Sequence, residues 1–165
     1  MPLPTEIKNY LSKGHATYRH KTHPVAYTAQ EIAALEHVPG RELAKTVVLK
    51  ADEEFIIAVL PANRVVNMEA LKHYIGCSRL VLASEAEFKR RFGSCQTGAM
   101  PPFGALFKLP VFCDNTLAVQ EEIEFNAGTH IDTIRMPFAD FVRLERPEFA
   151  DFSLDAGTHS AARAA

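Results

Sequence analysis

Hydrophobic and polar positions along this chain fall into short blocks that switch between a helical and an extended period. Pro4 to about Ser12 reads as a first helix, and Thr22 to Ala26 as a short extended piece. Thr28-Ala29-Gln30-Glu31 predicts a capping box, in which the threonine oxygen accepts from the third helical amide and the glutamate reaches back. Ile32, Ala33 and Leu35 carry that helix toward a Pro39-Gly40 stop. Thr46 to Leu49 and Phe55 to Leu60 are β-branched or aliphatic runs joined by the polar turn Ala51-Asp52-Glu53-Glu54, the pattern of two strands. Met68 to Ile75 predicts a helix closed by Gly76, and Arg79 to Ala83 another strand. Ser84-Glu85-Ala86-Glu87 is a second capping box, opening a helix that ends near Gly93. Strands follow at Leu106 to Phe112, Ile123 to Phe125 and His130 to Met136. Pro137 then suits a first helical turn, with Phe138, Phe141 and Leu144 facing the core.

This alternation predicts one α/β (α+β) domain over 1–165, a mixed and largely antiparallel central sheet flanked by helices. From about Pro147 the residues thin into small and polar types, which predicts a loosely held tail. A length of 165 residues with 47% hydrophobic content suffices to bury a full core. Lysine and arginine number 18 against 20 acidic residues, a net charge of −2, which excludes a general nucleic-acid coat and leaves room only for a local basic patch. Lys89-Arg90-Arg91 is the candidate patch, against the plain alternative of a solvated helix face.

Cys77, Cys95 and Cys113 show no C-x-x-C spacing and cannot all pair, which suggests reduced thiols in the cytoplasm. No apolar run reaches the ~20 residues of a membrane span, and the N-terminus lacks the order of a signal peptide. His20-Lys21-Thr22-His23 has an H-x-x-H spacing. On an extended segment, however, positions three apart point to opposite faces, so no metal and no cofactor is expected.

Gly98-Ala99-Met100-Pro101-Pro102-Phe103-Gly104 is the most distinctive stretch. Pro102 fixes φ and biases Pro101 toward an extended conformation, while the two glycines permit dihedrals that a side chain forbids. The result is a rigid loop whose backbone can approach a ligand, with amides near Gly98 and Ala99 suited to an oxyanion. Lys45 interrupts an apolar segment, its stem partly buried and its ammonium aimed at the sheet edge. His130 ends Phe125-Asn126-Ala127-Gly128-Thr129-His130. The tetrapeptide Ala127 to His130 recurs at Ala156 to His159, which is taken as coincidence because only the first copy has a strand after it.

A lysine opening an apolar strand, then G-x-x-x-P at Gly98 to Pro102, then A-G-T-H ending at His130: in this order and combination the chain resembles the YbaK/prolyl-tRNA editing family. That family comprises freestanding relatives of the editing domain inserted in bacterial prolyl-tRNA synthetases. The resemblance runs from about Thr28 to about Arg146. It implies a trans-editing deacylase that hydrolyses the ester of misacylated tRNA, with serine, threonine or cysteine among the side chains removed by relatives; small residues at Ala44, Gly98, Ala99 and Gly128, in a pocket narrowed by Met100, Thr129 and Ile32 to Leu35, make Ala-tRNA(Pro) the first expectation. It implies that Lys45 is essential and holds groups around the terminal adenosine, that the loop supplies backbone donors through Gly98, and that His130 orients the aminoacyl end. Ala99, Met100, Pro101, Pro102, Gly128 and Thr129 would line the substrate pocket, with Lys89, Arg90 and Arg91 on the tRNA. Water would attack with help from the tRNA's own 2′-hydroxyl, and the neighbouring hydroxyl already activates the ester. The implied partners are the acceptor end of misacylated tRNA and, transiently, prolyl-tRNA synthetase, with no DNA, no membrane and a monomeric chain.

Two other classes stay open on the residues alone. A non-catalytic module that binds tRNA or a synthetase would not need Lys45, the loop and His130 together. A covalent cysteine hydrolase would need a thiol with a histidine and an acid beside it, and no G-x-S-x-G elbow offers a serine instead.

Overall fold

A computed structural model describes residues 3–92 and 94–156 of the chain. The chain runs α1 (Thr5–Lys13), β1 (Arg19–Thr22), α2 (Ala29–Glu36), β2 (Ala44–Ala51), β3 (Glu54–Pro61), β4 (Arg64–Val66), α3 (Met68–Ile75), β5 (Leu80–Leu82) and α4 (Glu85–Arg91). A 3-10 turn over Gly104–Phe107 leads to β6 (Val111–Asp114), β7 (Glu122–Asn126), β8 (Asp132–Pro137), α5 (Phe138–Glu145), β9 (Glu148–Ala150) and β10 (Ser153–Asp155).

The main sheet has the order β5-β2-β3-β6-β9 and is mixed, with β2 antiparallel to β3 and β5, and β6 parallel to β3 and β9. β3 is buried on both faces over Ile56–Pro61, as befits a central strand. The alternation of β2 divides the interior. Ala44 and Val48 join a large cluster with α1, α4, β7 and β8, while Val47, Leu49 and Ala51 join a second one with Leu71 of α3. A three-stranded antiparallel sheet, β1-β8-β7, and the pair β10-β4 complete the architecture. No helix among the described residues is long and apolar enough to cross a membrane.

Local chemistry accounts for most boundaries. Ser84 and Glu87 close the reciprocal capping box of α4. At α2, Thr28 Oγ1 accepts from the Glu31 amide at 3.1 Å, but Glu31 answers by accepting from the threonine hydroxyl rather than from the backbone. That helix stops at His37, which takes the left-handed conformation (φ 54°), before Gly40 is reached. Gly76 closes α3 with φ 81°.

Several expectations are corrected. Leu106 and Phe107 lie in the 3-10 turn and the strand begins at Val111, because left-handed Lys108 and then Pro110 interrupt the extended run. The first strand is Arg19–Thr22, upstream of the expected Thr22 to Ala26, and its polar edge pattern carries no hydrophobic alternation to read. His130 precedes β8 instead of opening it.

The segment after Pro147 is held, not loose, as far as Ala156. β9 pairs with β6, β10 pairs with β4, and Phe152 between them is fully buried. Asp114 organises this return: its carboxylate accepts from the Phe152 amide at 2.8 Å, the Ser153 hydroxyl at 2.8 Å, the Thr116 amide at 3.1 Å and the Thr116 hydroxyl. The duplicate ending in His159 lies outside the described residues, as does Gly93.

Candidate functional site

A cavity of about 500 Å³ opens beside the first half of β2. The register explains why that edge is available. Ala62 N–H reaches Leu43 C=O at 2.7 Å, so odd residues of β2 bond β3 and even ones present amide and carbonyl to the other side. β5 takes up that side only along Leu49–Ala51, with Ala83 N–H donating to Val48 C=O at 3.0 Å. Thr46 lies before this stretch, and no described strand pairs with it on that side. Residues from both faces of β2 therefore reach the cavity: Ala44 and Thr46 from one, Lys45 and Val47 from the other.

Lys45 is more than half withdrawn from water, and burial alone pushes its ammonium below the ordinary lysine range. Gly98 lines the same cavity. Gln96-Thr97-Gly98-Ala99 is a type II turn, closed by Ala99 N–H donating to Gln96 C=O at 2.9 Å, with Gly98 at the third position and φ 84°. A side chain there would strain the backbone. The turn spends the Ala99 amide, so Ala99 is not the free donor the sequence suggested. Among the described residues the Gly98 amide has no acceptor.

A second turn locks onto the first. Gln96 N–H donates to Gly128 C=O at 2.8 Å, Gly128 N–H to Ala99 C=O at 2.9 Å, and His130 N–H to Gln96 Oε1 at 2.7 Å. Within it Thr129 Oγ1 donates to Asp132 Oδ2 at 2.5 Å and accepts from the Asp132 amide at 3.1 Å. Asp132, fully buried, also meets His20 Nε2 at 2.7 Å. The outcome is a His130 ring laid against Gly98, where a methyl group on the glycine would come within 3.7 Å of His130 Cε1. Its Nδ1 is buried and unpartnered among the described residues. The Tyr27 ring also rests against it, centroids 4.8 Å apart.

The remaining wall is the N-terminus of α2, through Thr28, Ala29 and Gln30, together with Val65, Met100, Asn126 and Ala156. First-turn amides of a helix favour negative charge, as does Lys45, so the cavity presents partial positive charge from two directions. α2 is held by Lys21, whose ammonium lies 3.1 Å from Glu36 and 2.8 Å from the buried Glu124.

Of the residues expected at the site, the structure brings together Lys45, Gly98, His130 and Met100. Gly128 faces away: a Cβ there would meet Pro4 and Ile7 of the N-terminal segment at 3.1 and 3.3 Å. Thr129 is occupied within its turn, and Ala99, Pro101 and Pro102 are buried and are not among the residues lining the cavity. Lys89, Arg90 and Arg91 are exposed on α4 and line no part of the cavity. Lys89 lies 3.5 Å from Glu85, and Arg91 donates to Phe107 C=O at 3.2 Å. The sequence reading missed Tyr27, Thr46, Asn126 and Ala156. Thr46 reads as one more β-branched strand residue, and nothing in its neighbours marks the unpaired edge. Two oxygens in the wall, Thr46 Oγ1 and Asn126 Oδ1, are withdrawn from water with no hydrogen-bond partner among the described residues.

A thiol nucleophile finds no support. Cys113 is buried and pushed up to about 12, burial also raises Cys95, and no cysteine lines the cavity.

The model of the aminoacyl-tRNA editing domain family matches residues 23–144. The chain is 31% identical over 147 residues to a protein of Escherichia coli (strain K12) named multifunctional Ser/Thr-tRNA deacylase ProXp-y, covering 86% of this chain and 87% of that one. It is 32% identical over 131 residues to the proline–tRNA ligase of Lactococcus lactis subsp. lactis (strain IL1403), covering 78% of this chain but 20% of the ligase. Its fold is similar to a crystal structure described as that of a proposed trans-editing enzyme for prolyl tRNA synthetase, with a TM-score of 0.81 at 19% identity over 93% of this chain and 98% of the other.

Proposed function

The chain belongs to the aminoacyl-tRNA editing domain family, and from that premise we propose that it is a trans-acting aminoacyl-tRNA deacylase that hydrolyses the ester of a small, wrongly attached amino acid. The observation that carries this reading is that Lys45 and Gly98 face one cavity with His130 packed on Gly98. In the reaction, the Gly98 amide stabilises the oxyanion that develops when water attacks the ester carbonyl. One such donor contributes about 3 kcal/mol. Lys45 supplies a point charge to the carbonyl or to the terminal phosphate, and His130 holds the aminoacyl end in place. The 2′-hydroxyl of the substrate assists the water. The acceptor end of tRNA, with Lys89, Arg90 and Arg91 on its stem, and a transient meeting with prolyl-tRNA synthetase belong to the same reading, as do a monomeric state and a cytoplasmic site of action.

Alanine on tRNA(Pro) suits a wall built from Ala44 and Gly98, with Met100 limiting its depth. A second reading, serine or threonine, is favoured by the unpartnered Thr46 Oγ1 and Asn126 Oδ1. A buried polar atom without a partner costs about 1 to 3 kcal/mol, which a substrate hydroxyl recovers and a methyl does not. The printed name of the Escherichia coli relative points the same way.

Hydrolysis of labelled Ala-, Ser-, Thr-, Cys- and Pro-tRNA(Pro) tests the proposal. Release of a small non-cognate residue with proline spared is expected. No release from any of them at high enzyme concentration overturns it. Thr46→Val separates the two readings: if serine is the substrate, its release falls about tenfold relative to alanine, and if alanine is, the ratio stays as in the wild type.

A further inference from the structure

Tyr27 is the cavity's exception. It lines the cavity, yet 68% of it is exposed, so a large aromatic ring stands at the mouth where most rings of this chain are buried. Its placement is fixed from both sides. The preceding residue, Ala26, is fully buried and its amide donates to His130 C=O at 3.2 Å, and the following residue, Thr28, caps α2 through the Glu31 amide. The ring leans on His130 at 54°, centroids 4.8 Å apart, which leaves its outward side uncovered. A fixed, half-covered aromatic ring is what proteins use to stack an unpaired base, since every base has a π-face and the ring loses little freedom on binding.

Resting on the deacylase reading, we propose that Tyr27 stacks on the terminal nucleobase of the acceptor strand while the aminoacyl ester of the same nucleotide enters the cavity. The base is attached to the ribose that carries the ester, so the two groups reach the protein side by side. Stacking on Tyr27 outside and the Lys45–Gly98 wall inside then fix the nucleotide at two points. Tyr27 is a positioning residue here. It takes no part in proton transfer, and Phe should replace it.

The test crosses the protein variants Tyr27→Phe and Tyr27→Leu with aminoacylated minihelices whose terminal base is either adenine or removed to leave an abasic ribose. On the adenine substrate Tyr27→Leu is expected to raise KM about tenfold with kcat nearly unchanged, the scale of one base–aromatic stack, and Tyr27→Phe to behave as wild type. On the abasic substrate wild type and Tyr27→Leu should coincide. Equal penalties from Tyr27→Leu on both substrates would overturn the stacking while leaving the deacylase reading intact.

Binding is read independently of turnover with an uncharged minihelix carrying 2-aminopurine at its 3′ end. Fluorescence quenching by wild type that Tyr27→Leu loses supports the contact. Quenching that Tyr27→Leu retains, or none with either protein at saturating concentration, rules it out even if no substrate is hydrolysed.

Discussion

Lys45→Ala is expected to lower the deacylation rate by about 10²- to 10³-fold while the thermal unfolding of the protein stays close to wild type. The ammonium is the one full positive charge in the cavity wall among the described residues, and the proposed reaction develops its negative charge in that cavity. Lys45 is only partly buried and belongs to no apolar core cluster of the described residues, so truncation removes charge without opening the core. Burial holds its pKa below the ordinary lysine range. On the proposed role the protonated form is the active one, so the enzyme-dependent rate is expected to hold at neutral pH and to fall as pH rises through the lowered value, earlier than an exposed lysine would dictate. A pH profile of wild type beside Lys45→Arg checks this, because arginine stays charged and should remove the basic limb. A variant without lysine that hydrolyses at the wild-type rate would move the chemistry away from this wall.

Asp114→Ala should cost about 3 kcal/mol of stability, the larger structural effect of the two. The carboxylate is 1% exposed and gathers the Phe152 amide, the Ser153 hydroxyl and both Thr116 donors. Removing it leaves the buried Phe152 amide unmet and frees the partly buried Ser153 hydroxyl and the Thr116 donors from the clamp. Asp114→Asn keeps one acceptor oxygen and should lose less. Urea unfolding measures both as a fall in midpoint at constant slope. Because the same return of the chain delivers Ala156 to the cavity rim, deacylation by Asp114→Ala should also become more sensitive to temperature than unfolding of the whole domain. A loss below 1 kcal/mol would mean that β9 and β10 hold without the clamp.

What the sequence revealed of this fold, and what it hid, follow from the range of the interactions involved. Capping at Ser84, closure at Gly76 and the β2–β3 hairpin are local, and they stand where the pattern put them. β4, β9 and β10 were invisible because each has three residues and is stabilised from afar, by Asp114 and by pairing across the chain. At the site, the residue types of Lys45, Gly98 and His130 were readable in order along the chain, and their meeting was not. It depends on Gln96, a residue with no motif to its name, whose backbone and side chain tie the two turns together. The same turns explain why Ala99, Gly128 and Thr129 read as pocket residues and are not: their polar groups are used to build the turns. Thr46 and Asn126 illustrate the converse, since a missing partner cannot be seen in a sequence.

The mixed order of the main sheet means that the cavity wall is assembled from parts far apart in the chain. β2, β3 and β5 come from one continuous stretch, while β6 and β9 arrive in parallel from later in the chain and close longer loops, the slower kind of contact to form. Lys45 lies on the local β2–β3 hairpin, whereas Gly98, Asn126 and Ala156 reach the same cavity from the later part of the chain. A copy that is newly made, or that has frayed at its late strands, therefore carries the lysine without the wall that gives it a substrate. On the proposed deacylase reading such a copy is expected to lack activity until its late strands are in place.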